Sequence, residues 1–252
     1  MSSQIIELCA GTSAVSFSAL GAPRFPASRI GSKLGYVDPI LEALGLARGA
    51  AEHAVLVESD CRLASVLDAL FSDPENLAIE VESFSLGEAR AVWEKAKAGD
   101  TPAHHLIWFA GARGGIGGFK GKHKLRPSVD GFIPSRESLV KRCRSFSSIV
   151  GLATVINADV SGIDATSFSP TSVYIDPPYV GRQGYTEKLS EPVERLALRW
   201  AAAGHRVVVS EARRLVGATS TEVTNMRKGQ SRESMTTCAV EWINLFMKRD
   251  TE

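Results

Sequence analysis

The sequence predicts an α/β fold: a doubly wound, mostly parallel sheet with helices on both faces. Three observations carry this. Short apolar runs of strand length alternate with segments whose apolar residues recur at i, i+3, i+4 and i+7. The first run leads into a turn of small residues, Ala10-Gly11-Thr12-Ser13. A later run, Ser172-Val173-Tyr174-Ile175, ends in the rigid polar segment Asp176-Pro177-Pro178-Tyr179. Open α/β sheets bind ligands at the carboxyl ends of their strands, which is where both turns fall.

The elements follow in order. Residues 4–9 read as the first strand, and residues 14–20 can start a helix that residues 21–26 break. Val37, Ile40, Leu41 and Leu44 share one helical face, with Gly45 as the stop. Residues 54–58 form a second strand, and Leu63, Val66, Leu67 and Leu70 repeat the helical spacing. Residues 86–97 predict a helix stopped at Gly99, and residues 105–110 are short and apolar. Residues 111–131 are rich in Gly and Lys without periodicity and read as loop, and a helix resumes over 135–146. Strands follow at 154–159 and 173–175. Val193, Leu196, Ala197 and Trp200 mark a helix ended by Gly204, and residues 207–210 form a strand. Residues 238–246 are a last strand, preceded by an irregular stretch that can hold another. The expected organisation is one doubly wound domain, residues 1–102 and 149–252, with residues 103–148 inserted.

Composition narrows the classes. The chain has 252 residues, 44% of them hydrophobic, so a full core is attainable. No apolar run approaches the ~18 residues of a membrane helix. The amino terminus lacks the basic region of a signal peptide, and the four cysteines are scattered without a CxxC pair. A cytoplasmic protein without a metal site is the expectation. Net charge is only +1, but it is unevenly spread. Between Arg113 and Arg144 lie nine Lys or Arg and two acids, Asp130 and Glu137.

The Asp176 turn carries the most chemistry. Two prolines stiffen it and remove two N–H donors, while the carbonyls remain. The Asp176 carboxylate and the Asp176 and Pro177 carbonyls are then fixed acceptors, with Tyr179 as an aromatic face. A planar amino group with two N–H donors fits that cluster. A rigid acidic turn without chemistry is the alternative.

Asp176-Pro177-Pro178-Tyr179 resembles motif IV of the amino-methyltransferases, which methylate exocyclic nitrogens using S-adenosylmethionine (SAM). Asp in first position is typical of the DNA N6-adenine enzymes, including the Dam type. The resemblance implies a Rossmann-like class I SAM-methyltransferase sheet with helices on both faces and an inserted target-recognition region. Glu7-Leu8-Cys9-Ala10-Gly11-Thr12-Ser13 resembles motif I, an acidic-x-F-x-G-x-G pattern. Glu7 and Gly11 match it, Cys9 stands for the aromatic, and Ser13 stands for the second glycine. Glu7, Ala10, Gly11, Thr12 and Ser13 are thereby candidate cofactor contacts. Asp60, following the second strand and preceding an amphipathic helix, is the preferred acid for ribose hydroxyls, with Glu58 the other candidate. A plain helix N-cap is the alternative role for Asp60. Asn157-Ala158-Asp159-Val160 looks like motif III, in which Asp159 would accept from the cofactor's adenine amino group. Arg29-Ile30-Gly31-Ser32-Lys33 resembles motif X, which touches the methionine end of SAM. Gly31 and Lys33 match, but the segment follows motif I, whereas in Dam-type enzymes it precedes it.

The Gly-rich basic stretch is no P-loop: no Gly stands five residues before Gly121, and no Ser or Thr follows Lys122. Its charge suits DNA phosphates, with Arg113, Lys120, Lys122, Lys124, Arg126 and Arg136 as candidates. Asp130-Gly131-Phe132-Ile133-Pro134 resembles a target-recognition element of Dam-type enzymes, without its Asn. The implied activity is methylation of adenine N6 in double-stranded DNA, with the target base flipped out of the stack. A restriction-modification setting is compatible with it. Cytosine-N4 DNA or adenine-N6 RNA methylation, or a catalytically silent binding subunit, are the competing readings.

Overall fold

A computed structural model describes residues 3–27, 33–84, 89–112, 136–177, 189, 191–225 and 239–248. Seven strands form one sheet in the order β3-β2-β1-β4-β5-β7-β6. They are β1 (Gln4–Leu8), β2 (His53–Glu58), β3 (Ala153–Asn157), β4 (Ser172–Ile175), β5 (Arg206–Glu211), β6 (Thr219–Asn225) and β7 (Ala239–Phe246). Strands β1 to β5 run parallel, with Leu8 level with both Val57 and Ile175. Strand β7 is antiparallel to both of its neighbours, β5 and β6. The central strands are almost wholly buried, as parallel strands covered on two faces must be.

Side chains alternate between two cores. Ile5, Tyr174, Val208 and Ile243 point into one. It also receives α1 (Ala14–Ala19), α2 (Val37–Leu44), α3 (Cys61–Ser72) and α4 (Pro74–Ser83). Helices α5 (Ala89–Ala98), α6 (Pro102–Gly111) and α7 (Arg136–Arg144) add to the same core. Ile6, Val173, Val207 and Phe246 point into the other, closed by α8 (Val193–Ala202) through Leu196, Ala197 and Trp200. The spacing of those three residues is what makes α8 a helix with one apolar face.

Two helices differ from expectation. Residues 105–110 lie inside α6, which is buried nearly all round and so shows no polar face in its sequence. Its start is signalled instead by Thr101, whose hydroxyl accepts from His104 N–H, and by Pro102 in the first turn. Helix α4 was not anticipated, although Asp73 and Pro74 form the same kind of start. Of the predicted helix 86–97, residues 86–88 lie outside the described residues. The described ends of the 103–148 segment have no core of their own. Leu106, Phe109, Leu139, Cys143 and Phe146 join the core shared with α1 and α3. Phe17, Phe71 and Phe146 meet edge to face, with ring centroids 5.4 to 5.8 Å apart.

Gly111 closes α6 against a fixed ring. A Cβ there would stand 2.5 Å from Trp93 Cδ1, and the Trp93 indole is held by donating to the Trp108 carbonyl at 3.1 Å. Gly111→Ala is therefore expected to destabilise the fold by about 1–3 kcal/mol through overpacking. Urea denaturation measures this, and an unchanged midpoint would mean that the indole yields freely.

Candidate active site at the carboxyl edge of the sheet

Strands β1, β2 and β3 succeed one another in one direction across the sheet, and β4 and β5 in the other. The winding reverses between β1 and β4. Their carboxyl ends diverge there into loops on opposite faces, which leaves the crevice where open α/β sheets bind ligands. The two segments singled out in the sequence, 7–13 and 176–177, meet at that point. The Asp176 amide donates to the Leu8 carbonyl at 3.3 Å.

The turn after β1 is tight and left-handed in several places. Cys9, Gly11 and Ser13 have φ of 59°, 54° and 50°. Ser13 thus adopts the conformation that a glycine would take at no steric cost, which explains why the motif resembled here prefers glycine there. The Ser13 amide donates to the Ala10 carbonyl at 2.7 Å, and the Ala10 amide donates to Val57 O at 2.9 Å. Ala10 and Thr12 complete the turn as small, buried residues.

Glu7 is 2% exposed, and its Oε2 accepts from the Ser16 amide at 2.9 Å. The acid thus supplies the N-terminal cap of α1 that Ser13's side chain does not. Burial pushes its carboxyl up from 4.5 to about 8, against the lowering effect of the Ser16 hydrogen bonds, with Asp176 adding to the rise. Cys9 sits among carboxylates. Burial and the charges of Glu58, Asp176, Asp159 and Glu7 all raise its thiol, so it is no thiolate nucleophile at neutral pH.

The structure separates the two acids at the end of β2, Glu58 in the strand and Asp60 after it. Asp60 Oδ1 accepts from Arg62 N–H at 3.0 Å and Leu63 N–H at 3.4 Å, capping α3. Glu58 reaches the β1 turn instead: Oε2 accepts from Gly11 N–H at 2.8 Å and Oε1 from Asp60 N–H at 2.9 Å. Asn157 Nδ2 donates to the Glu58 and Ser59 carbonyls at 2.8 and 3.2 Å, joining the ends of β3 and β2. Asp159 lies just beyond on the same edge, exposed. Its Oδ1 accepts from Ser161 N–H at 2.8 Å and Ser161 Oγ–H at 2.6 Å.

Asp176 follows β4 and is 22% exposed; Pro177 is buried. Lys33 Nζ donates to Asp176 Oδ1 at 2.7 Å and lies 3.6 Å from Glu241 Oε1. Lys33 is only 5% exposed. Burial raises the Asp176 carboxyl, while the charge and hydrogen bond of Lys33 lower it. Lys33, expected at the methionine end of a cofactor, is thus found on the acid of the proline turn. Pro178, Tyr179, Arg29, Gly31 and the basic candidates Arg113, Lys120, Lys122, Lys124 and Arg126 lie outside the described residues. Arg136 is described: its Nη1 donates to the Phe84 carbonyl at 2.8 Å, tying α7 to the end of α4.

Sequence reading passed over Glu241. Its signal was an acid two residues before Ile243 on a strand, hence on the same face as a core residue. Such a buried acid needs a partner. A cavity of about 450 Å³ borders the β1 turn, lined by Thr12, Ala14, Phe17, Phe25, Leu34 and Arg142 among others, and so offers small-molecule room beside it. Among the described residues no group of three or more His, Cys, Asp or Glu could hold a metal, and no helix is long and apolar enough to cross a membrane. Compared with models of protein families and with curated proteins, the chain matches none.

Proposed function

We propose that this protein transfers a methyl group from SAM to an exocyclic amino group of a nucleic-acid base, with adenine N6 in DNA as the preferred acceptor. One observation carries the reading: the segment resembling motif I and the Asp176-Pro177 turn converge at the switch point in the parallel part of the sheet, where the Asp176 amide donates to the Leu8 carbonyl at the end of β1.

The residues of the edge fit the cofactor. The sulfonium and the amino group of SAM are cationic, and Glu58, Asp159 and Asp176 supply carboxylates around the β1 turn. Small residues at Ala10, Gly11 and Ser13 allow close approach of a ligand to the backbone. Glu58, with its carboxylate at the turn, is better placed than Asp60 to receive ribose hydroxyls. SAM supplies an electrophilic methyl group and a neutral leaving group. The remaining work belongs to the chain. The amino nitrogen of adenine is a weak nucleophile because its lone pair is delocalised into the ring. Donating its two N–H groups to the Asp176 carboxylate and the Pro177 carbonyl favours a tetrahedral nitrogen. The same acceptors stabilise the positive charge that develops on it. Full deprotonation before attack is not required. A base inside a duplex must flip out to reach this edge, and the basic 113–126 segment is the proposed phosphate contact.

Mass spectrometry of nucleosides after incubation with SAM and either duplex DNA or RNA tests the reading. N6-methyladenine in DNA is expected. N4-methylcytosine, or N6-methyladenine confined to RNA, would change the acceptor, and no methylated base in either would sink the proposal.

The two acids at the end of β2 should separate in a second experiment. Glu58→Ala is expected to weaken SAM binding by about 1–3 kcal/mol in calorimetry, the usual cost of losing a buried hydrogen-bond partner. Asp60→Ala should chiefly destabilise the fold, by about 1 kcal/mol, through loss of the α3 cap. The reverse pattern would return the ribose role to Asp60.

A further inference from the structure

The ion group around Asp176 contains a residue that the proposed reaction does not explain. Lys33 is buried, and the end of its side chain sits between two carboxylates. It is at hydrogen-bonding distance from Asp176 (2.7 Å) but only at ion-pairing distance from Glu241 (3.6 Å). Asp176 comes from the end of β4, and Glu241 from β7, two strands away across β5. Among the described residues, Glu7 and Cys9 at the end of β1 and Tyr174 on β4 are further titratable groups that feel the charge of Asp176. Each of these is neutral or anionic, so among them Lys33 alone opposes the charge of Asp176. An acceptor amino group donating to the Asp176 carboxylate competes with the Lys33 ammonium already held on Oδ1. An ammonium driven off that oxygen and left buried without a counter-charge would be strongly disfavoured.

We propose that Lys33 is a placeholder for the acceptor's amino group: its ammonium fills the donor position on Asp176 until an acceptor N–H replaces it, and Glu241 receives the displaced ammonium. The inference rests on the methyl-transfer reading for the identity of the acceptor. Lys33 and Glu241 are positioning residues in it. They act through Asp176, and the exchange conserves charge because Lys33 stays paired throughout. An acceptor must bring a donor of its own to make the exchange. N6,N6-dimethyladenine, which has no amino hydrogen, cannot displace Lys33.

The test combines a titration with kinetics on the full chain. The Asp176 carboxyl signal is followed by carbon-13 NMR across pH in the protein alone and is identified by its loss in Asp176→Asn. Lys33→Met should raise its midpoint by at least one pH unit, because burial then acts unopposed. Glu241→Gln should lower it, because a competing anion is gone. In steady-state kinetics Glu241→Gln should raise KM for the nucleic acid at least tenfold with SAM affinity unchanged, and Glu241→Asp should recover part of the loss. Unshifted midpoints, or a KM unchanged in Glu241→Gln, with wild-type methylation intact, would overturn the placeholder role alone. Wild-type protein that methylates no nucleic acid would overturn the acceptor reading and the placeholder role with it. Glu241→Gln keeps size and shape, so it remains informative if Lys33→Met does not fold.

Discussion

Asp176→Ala is expected to abolish methyl transfer while leaving the protein folded. The loss should be at least 10²–10³-fold in kcat, the scale on which a single group stabilising developing charge acts in other enzymes. The fold should survive for two reasons. Asp176 lies in a turn rather than in either core, and Lys33 keeps Glu241 as a counter-charge when Asp176 is removed. Removing one partner of an isolated buried pair would cost several kcal/mol, and the third member here prevents that. SAM affinity should fall by less than tenfold, since the acceptor amine is the residue's main partner in the proposed reaction. Wild-type turnover in this variant would exclude the mechanism. An unfolded variant would show instead that the Lys33 contact is structural.

Glu7 should impose a large pH dependence on stability. Its carboxyl is raised from 4.5 to about 8 by burial. Between those values the folded chain holds a proton that the unfolded chain releases. Stability from this group is therefore fully present below about pH 4.5, declines as pH rises through the window, and is lost above about 8. Each pH unit is worth at most about 1.4 kcal/mol per proton, so the whole window is on the order of 5 kcal/mol. Glu7→Gln removes the ionisable group and keeps an oxygen for the Ser16 amide. Its stability relative to wild type should rise steadily from pH 5 to pH 8 in urea denaturation. Parallel curves at every pH would mean that Glu7 does not titrate in this range. Asp176, also raised by burial, adds to the wild-type slope in the same direction.

The differences between sequence and structure have local causes. Helices α2, α3 and α8 were legible because each buries one face and exposes the other, which writes a 3.6-residue period into the chain. Helix α6 was not, because its residues are buried nearly all round. Its capping residues, Thr101 and Pro102, were the signal to use. Strands β1, β2, β4 and β5 were legible as apolar runs between turns, and their ends were predicted to within two residues. Strand β6 was only a possibility, since its polar sequence reveals a strand chiefly through its pairing with β7.

By itself, the sequence determined an alternating α/β chain, the strand ends that carry the two motif-like turns, and the chemistry that an Asp-Pro-Pro turn can offer. All of these depend on residues close together along the chain, where periodicity and backbone stereochemistry act. The tertiary structure alone decided which acid serves which turn. Glu58 rather than Asp60 reaches Gly11, because the parallel register of β1 and β2 brings the end of β2 beside the β1 turn. It also decided that Lys33 meets Asp176 and Glu241. Those three residues belong to separate parts of the chain, and only the sheet order β4-β5-β7 brings their charges together. Charge pairing depends on distance in space, and a linear pattern carries no record of that distance until the sheet has formed.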